Sequence, residues 1–198
     1  MDPHSLYLPA LRVIEDTLRA TDGPVIMAVD GRCGAGKTTF AAFCARIFEN
    51  CAVFHMDDFF LPPEKRTAQR LAAPGGNADY ERAEMELLIP LSQNREAVYR
   101  PFDCASMTFG PPRRVPPVRL CVVEGTYSLH PALAKYAGIK IFFTCSPQTQ
   151  LARLAHREPP EKLEKFREIW IPLEEAYFTG LNIAAECDVT VDTTLLPL

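Results

Sequence analysis

The sequence is short of positive charge. Its 21 Lys and Arg residues are outnumbered by 25 Asp and Glu, giving a formal net charge of −4. That balance provides no broad basic face for nucleic acid. Long apolar runs are also missing: no stretch approaches the ~20 residues a membrane helix requires. The opening segment, MDPHSLYLPALRVIEDTL, has neither a basic flank nor a long apolar centre, so no secretion signal is expected. The cysteines at 33, 44, 51, 104, 121, 145 and 187 include no C-x-x-C pair, and the histidines at 4, 55, 130 and 156 form no cluster. A zinc site or disulfide framework is therefore not expected, and a reducing cytoplasm is. Repeats and low-complexity tails are absent.

What is present fits one domain. A chain of 198 residues suffices for a single proper core and little else. A helix is expected over about 5 to 20, with Leu8, Leu11, Ile14 and Leu18 on one stripe. Strands are expected over 24 to 29, 51 to 56, at VRLCVVE ending on Glu124, over 139 to 145 and over 188 to 192; AVYRPF, 97 to 102, reads as extended. Helices are expected from the first strand's loop to about 49, up to about Leu88 behind a cap at Asn77 or Asp79, from Pro147 to about His156, and over 161 to 178. PPRRVPP, 111 to 117, reads as a stiff loop. Trp170 with Ile169, Leu173 and Tyr177 reads as core packing, and His55 as a hydrogen-bonded core histidine. Strands alternating with helices imply an α/β sandwich, a mostly parallel sheet covered on both faces. Ligands of such sheets bind beyond the carboxyl ends of the strands.

At the first such end stands GRCGAGKTT, residues 31 to 39, which satisfies G-x-x-x-x-G-K-[ST] through Gly31, Gly36, Lys37 and Thr38. The apolar run PVIMAV precedes it, and Phe40, Phe43, Cys44, Ile47 and Phe48 follow at helical spacing, which is the strand–loop–helix context a phosphate loop needs. Gly31, Arg32, Cys33, Gly34, Ala35, Gly36, Lys37, Thr38 and Thr39 are the candidate phosphate-binding residues. Glycines let successive N–H groups turn into one hollow, Lys37 brings a point charge, Thr38 offers a hydroxyl to Mg²⁺, and the helix adds its dipole. Cys33 beside a helix N-terminus invites the question of a lowered thiol pKa and a redox role.

Acids at strand ends complete the set. Glu124, followed by Gly125, is a candidate Mg²⁺ ligand. Asp57 and Asp58 end the second strand; adjacent strand residues face opposite ways, so one of them is expected at the cleft. An acid there can accept the proton of a substrate hydroxyl or hold the metal. Arg153 and Arg157 lie one helical turn apart, opposite Leu151 and Leu154, and are candidates for stabilising a transferring phosphoryl group. The charged, proline-broken segment at about 157 to 166 could close as a lid.

GRCGAGKT, MDDFFLPP, VVEGTYSLHP and RLAHRE together resemble uridine kinases and their relatives, phosphoribulokinase and bacterial pantothenate kinase, over roughly residues 25 to 192. The resemblance implies a P-loop NTPase fold and transfer of the γ-phosphoryl of ATP, with Mg²⁺, to a hydroxyl of a small molecule, a nucleoside first among them. It implies that Asp57 is the base, with Asp58 secondary, and that Glu124 is the family's strand-end acid. Asp79 then falls in the nucleoside pocket. Arg100, Phe102 and Tyr127 are further acceptor-pocket candidates. The pattern departs where Tyr80-Glu81 stands for His-Pro and where Pro101-Phe102-Asp103-Cys104 stands for a Tyr-Asp-Phe segment, which leaves another nucleoside or small alcohol open as acceptor. Family members are often homo-oligomers. A nucleotide-dependent switch or ATPase acting on a protein partner is the alternative, although the N/T-K-x-D and D-x-x-G patterns of guanine switches do not occur.

Overall fold

The computed structural model describes residues 3–196. Helix α1 (Pro3–Ala20) leads into β1 (Val25–Gly31), the phosphate loop and α2 (Lys37–Ile47). Strand β2 (Cys51–His55) runs into a one-turn 3₁₀ helix, Met56–Phe59. Then come α3 (Ala68–Ala72) and a helical run made of α4 (Tyr80–Arg82), a π-helical stretch Ala83–Leu88 and α5 (Ile89–Ser92). Four short strands follow: β3 (Ala97–Tyr99), β4 (Phe102–Asp103), β5 (Thr108–Phe109) and β6 (Arg113–Val115). The chain closes with β7 (Leu120–Glu124), α6 (Pro131–Ala134), β8 (Ile139–Thr144), α7 (Pro147–Arg157), α8 (Pro160–Lys165), a π-helical stretch Phe166–Trp170, α9 (Ile171–Gly180) and β9 (Val189–Asp192).

Five strands form one parallel sheet in the order β2-β7-β1-β8-β9. Along β1 the period-2 alternation sends Val25, Met27 and Val29 into one core and Ile26 and Ala28 into the other. Both faces are thus covered, the arrangement expected of a parallel sheet. Register places Glu124 level with Val29 on one side and His55 on the other. The phosphate loop, the strand-two acids and Glu124 therefore emerge at one edge.

Several expectations shift. The buried face of α1 is Tyr7, Ala10 and Ile14, while Leu8 is 48% exposed. Tyr7 wins because its ring meets Phe40 at 4.9 Å and Phe143 at 6.1 Å. Ile169 is exposed rather than core, whereas Tyr177 is fully buried. PPRRVPP is not only loop: Arg113–Val115 pair antiparallel with β3, and the prolines on either side confine them to a two-stranded edge. The two π-helical stretches have one cause. A proline ring collides with the carbonyl four residues before it, and the carbonyls so placed before Pro90 and Pro172, those of Glu86 and Glu168, lie inside the widened segments. Among the described residues no helix is long and apolar enough to cross a membrane.

Candidate active site

The phosphate loop is held from below before anything binds it. Asp30, fully buried, accepts hydrogen bonds from the N–H of Gly31 (2.6 Å), Tyr127 (3.2 Å) and Leu129 (2.8 Å) and from the hydroxyl of Tyr177 (2.8 Å). One carboxylate thus ties the end of β1 to the segment after β7 and to α9. The Arg32 guanidinium forks onto Glu175, Nε–Oε1 at 2.6 Å and NH2–Oε2 at 2.9 Å, and reaches the Thr144 hydroxyl. Gln150 donates to the Cys33 carbonyl at 3.1 Å.

Within the loop, the Lys37 ammonium donates to the carbonyls of Gly31 (2.6 Å) and Arg32 (2.9 Å), so its charge lies across the hollow. Gly36 takes a left-handed conformation, φ +95°, at the start of α2. The Thr38 hydroxyl donates to Glu124 Oε1 at 3.1 Å, and His55 Nδ1 donates to the same oxygen at 2.5 Å. That bond, with Glu124's negative charge, raises the His55 pKa against the opposing effect of burial. His55 is thus a half-exposed support for Glu124, not a core histidine. Thr38 and Glu124 present hard oxygen donors side by side, a set suited to Mg²⁺ and one that leaves most of the coordination shell to water and phosphate.

Glu174 was not anticipated. It is 6% exposed, accepts the N–H of Cys33 at 3.1 Å and the Thr126 hydroxyl at 3.1 Å, and its pKa is raised, chiefly by burial, with Lys37 opposing. Burial, reinforced by Glu174, also pushes the Cys33 thiol well above its ordinary value, the reverse of an activated redox cysteine.

Asp57 and Asp58 both line a cleft of about 420 Å³ with Phe60, Phe102, Cys104 and Arg113. The expectation that only one would reach it assumed a pleated strand. The strand ends at His55, and the 3₁₀ turn that follows presents both acids to the same side. Asp57 keeps exposed surface, yet loss of water around its carboxyl, and then the charge of Glu124, raise its pKa. Asp58 is tied to Arg113 NH1 at 2.8 Å and to the Tyr99 hydroxyl at 3.2 Å.

Five sequence candidates fall elsewhere. Arg153 directs its guanidinium to the carbonyls of Gly34 (3.0 Å), Thr193 (2.7 Å) and Leu196 (3.0 Å) and to the Thr193 hydroxyl (2.8 Å). With both terminal nitrogens so held it braces the loop from behind, and a role on the transferring phosphoryl group does not fit. Asp79 is fully buried, caps the helix by accepting from Arg82 N, and pairs with Lys65 at 3.0 Å. Tyr127 is buried edge-to-face on Tyr177 at 4.9 Å. Arg100 is exposed and holds the carbonyls of Phe109 and Gly110. Arg157 pairs with Glu158 at 2.7 Å, at the α7–α8 corner where the lid was expected. Asp30, Glu174 and Arg113 were missed; only Asp30, an acid closing an apolar run just before Gly31, had a local signal.

Asp30 carries a pH signature. Burial raises its pKa to about 6 in the folded protein, against ~3.9 for an ordinary carboxyl. Between these values the folded protein retains a proton that the unfolded chain has released, so stability falls as pH rises through the window and stays lower above it. The gap corresponds to roughly 3 kcal/mol. Denaturant unfolding of the parent and of Asp30→Asn between pH 4 and 7 should show the parent's stability declining relative to the variant by about that amount. Parallel pH curves would contradict it.

No protein-family model and no curated protein matches the sequence. Solved structures do. A structure of a possible uridine kinase from Bacillus stearothermophilus matches with a TM-score of 0.67 at 18% identity, covering 90% of this chain and 99% of that one. A candidate fructose transport system kinase from Silicibacter sp. matches with a TM-score of 0.68 at 23% identity, covering 92% and 98%. A D-glycerate 3-kinase from Cryptococcus neoformans matches with a TM-score of 0.62 at 13% identity, covering 86% and 87%. The likeness is one of fold: the chain has the α/β P-loop architecture that these structures share.

Proposed function

We propose that the protein is an ATP-dependent small-molecule kinase of the uridine kinase-like group, moving the γ-phosphoryl of ATP to a hydroxyl. The observation that carries this reading is a juxtaposition. Thr38 and Glu124 meet at the loop, and Asp57 stands at the mouth of the adjoining cleft. A pure switch has no use for an acid base facing a small-molecule cleft.

In this reading the loop amides and Lys37 hold the β- and γ-phosphates, and Lys37 exchanges its two loop carbonyls for phosphate oxygens. Thr38 and Glu124, with Asp57 nearby, would hold a Mg²⁺ ion, which would supply neutralisation of the phosphate charge. Asp57 orients the acceptor hydroxyl and takes its proton as the oxygen forms a bond to the γ-phosphorus. The bond from that phosphorus to the β–γ bridging oxygen breaks, and its electron pair leaves with ADP. Glu174 and Glu175 hold α9 against the loop and fix its shape.

For the acceptor, a nucleoside is the first candidate, supported by the sequence resemblance and by the fold shared with a possible uridine kinase. A screen of ADP release over nucleosides, pantothenate and sugar phosphates, with products read by mass spectrometry, tests the proposal. Stimulation by a small alcohol and a phosphorylated product are expected. Stimulation by proteins alone would favour the switch reading.

A further inference from the structure

We propose that the cleft beside Asp57 binds an uncharged, hydroxyl-rich acceptor, and that Arg113, fixed by Asp58 and Tyr99, holds one of its hydroxyls; the proposal rests on the kinase reading above and deepens it. The clamp is built on paired strands. Tyr99 of β3 stands directly opposite Arg113 of β6. The Tyr99 ring is buried and stacked on Phe59 at 5.3 Å, which fixes its hydroxyl. That hydroxyl donates to Asp58 Oδ2 at 3.2 Å, and Arg113 NH1 donates to the same carboxylate oxygen at 2.8 Å while approaching the hydroxyl at 3.4 Å. One edge of the guanidinium is thereby immobilised. Nε and the second terminal nitrogen have no partner among the described residues, and the side chain remains 53% exposed on the cleft.

Charge decides the class of ligand. The cleft is lined by three carboxylates, Asp57, Asp58 and Asp103, against one guanidinium, which Asp58 already neutralises. Arg66 lies outside this lining, hydrogen-bonded to the Cys104 thiol and donating its Nε to the Leu61 carbonyl. A carboxylated or phosphorylated acceptor would meet a lining in which carboxylates outnumber cations. A neutral polyol would not. Its hydroxyls can donate to carboxylate oxygens and accept from the guanidinium, each a charge-assisted bond, while Phe60 and Pro101 offer apolar wall to its C–H faces. The ribose of a nucleoside and a free sugar both meet this description, and their shared feature is neighbouring hydroxyls without charge.

Cys104 lines the cleft and is exposed, so it reports occupancy independently of turnover. Iodoacetamide modification of Cys104, followed by peptide mass spectrometry, would be measured with ribose, fructose or uridine against ribose 5-phosphate, glycerate or pantothenate. We expect neutral compounds to protect Cys104 and anionic ones not to. Arg113→Met should raise the half-protecting concentration about tenfold, the size of one lost charge-assisted hydrogen bond. It should also raise the acceptor KM about tenfold more than it lowers kcat, and Arg113→Lys should recover only part, because an ammonium lacks the fork. Preferential protection by anions, no protection by any neutral compound, or protection unaltered in Arg113→Met overturns the proposal. Protection by neutral compounds without ADP formation from any of them would overturn the kinase reading and leave the binding assignment standing.

Discussion

Asp57→Asn is expected to slow phosphoryl transfer by ~10²-fold or more while MgATP still binds, because general-base assistance of this kind contributes ~10²–10⁴-fold. The side chain is suited to the task by position and by basicity. It lines the acceptor cleft, and the shortage of water around it together with Glu124 lifts its pKa, so it holds a proton more readily than an ordinary aspartate. Asparagine keeps the shape and the hydrogen-bonding oxygen but cannot take a proton. Asp58 is engaged elsewhere, since the Arg113 guanidinium and the Tyr99 hydroxyl both hold its Oδ2. Asp58→Asn should therefore act mainly through acceptor KM. Steady-state ADP release with the acceptor found by screening, paired with calorimetric titration of ATP, separates the two. Equal turnover for parent and Asp57→Asn would remove Asp57 from the mechanism.

The second large effect is structural. Gly31→Ala places a methyl group 1.9 Å from the carbonyl oxygen of Phe143 and 2.7 Å from its nitrogen. Neither atom can retreat cheaply. Phe143 is a buried residue of the internal strand β8, between β1 and β9, and its carbonyl receives the Arg32 N–H at 3.0 Å. Gly31 also has φ +129°, a conformation that L side chains rarely adopt. Overpacking and backbone strain each cost ~1–3 kcal/mol, so the variant should lose more than about 3 kcal/mol and with it much of the margin of a marginally stable domain. Gly36→Ala is the informative control: it shares the positive φ, +95°, but a Cβ there meets nothing within 4 Å. It should lose ~1–2 kcal/mol, the backbone term alone. Equal denaturation midpoints for the two variants would contradict this account.

The parts of the site that were legible from sequence are those whose physics is local. The motif requires glycine at Gly31 and Gly36, a cation at Lys37 and a hydroxyl at Thr38, and an acid ending an apolar strand before Gly125 must emerge at the ligand-binding edge of a parallel sheet. The parts that were not legible are assigned by partners distant in the chain. Glu174 matters because α9 folds back onto Cys33, and Arg113 because β6 pairs with β3. Nothing within a few residues of either announces this. Arg153 was misread for the same reason: the polar face of α7 meets the carbonyls of Gly34 and Thr193 instead of the nucleotide cleft. Asp79 carried two readings, cap and substrate ligand, and only the cap matches its burial. The breaks in the helical runs before Pro90 and Pro172 were readable in principle, since a proline disturbs the carbonyl four residues back.

The most direct test is a crystal structure with magnesium and a non-hydrolysable ATP analogue. The β- and γ-phosphates should lie in the hollow of residues 31–38, contacted by loop N–H groups and by the Lys37 ammonium withdrawn from Gly31 and Arg32, with the metal at Thr38 and Glu124. A nucleotide bound elsewhere, or a loop whose amides turn away from the phosphates, would contradict it.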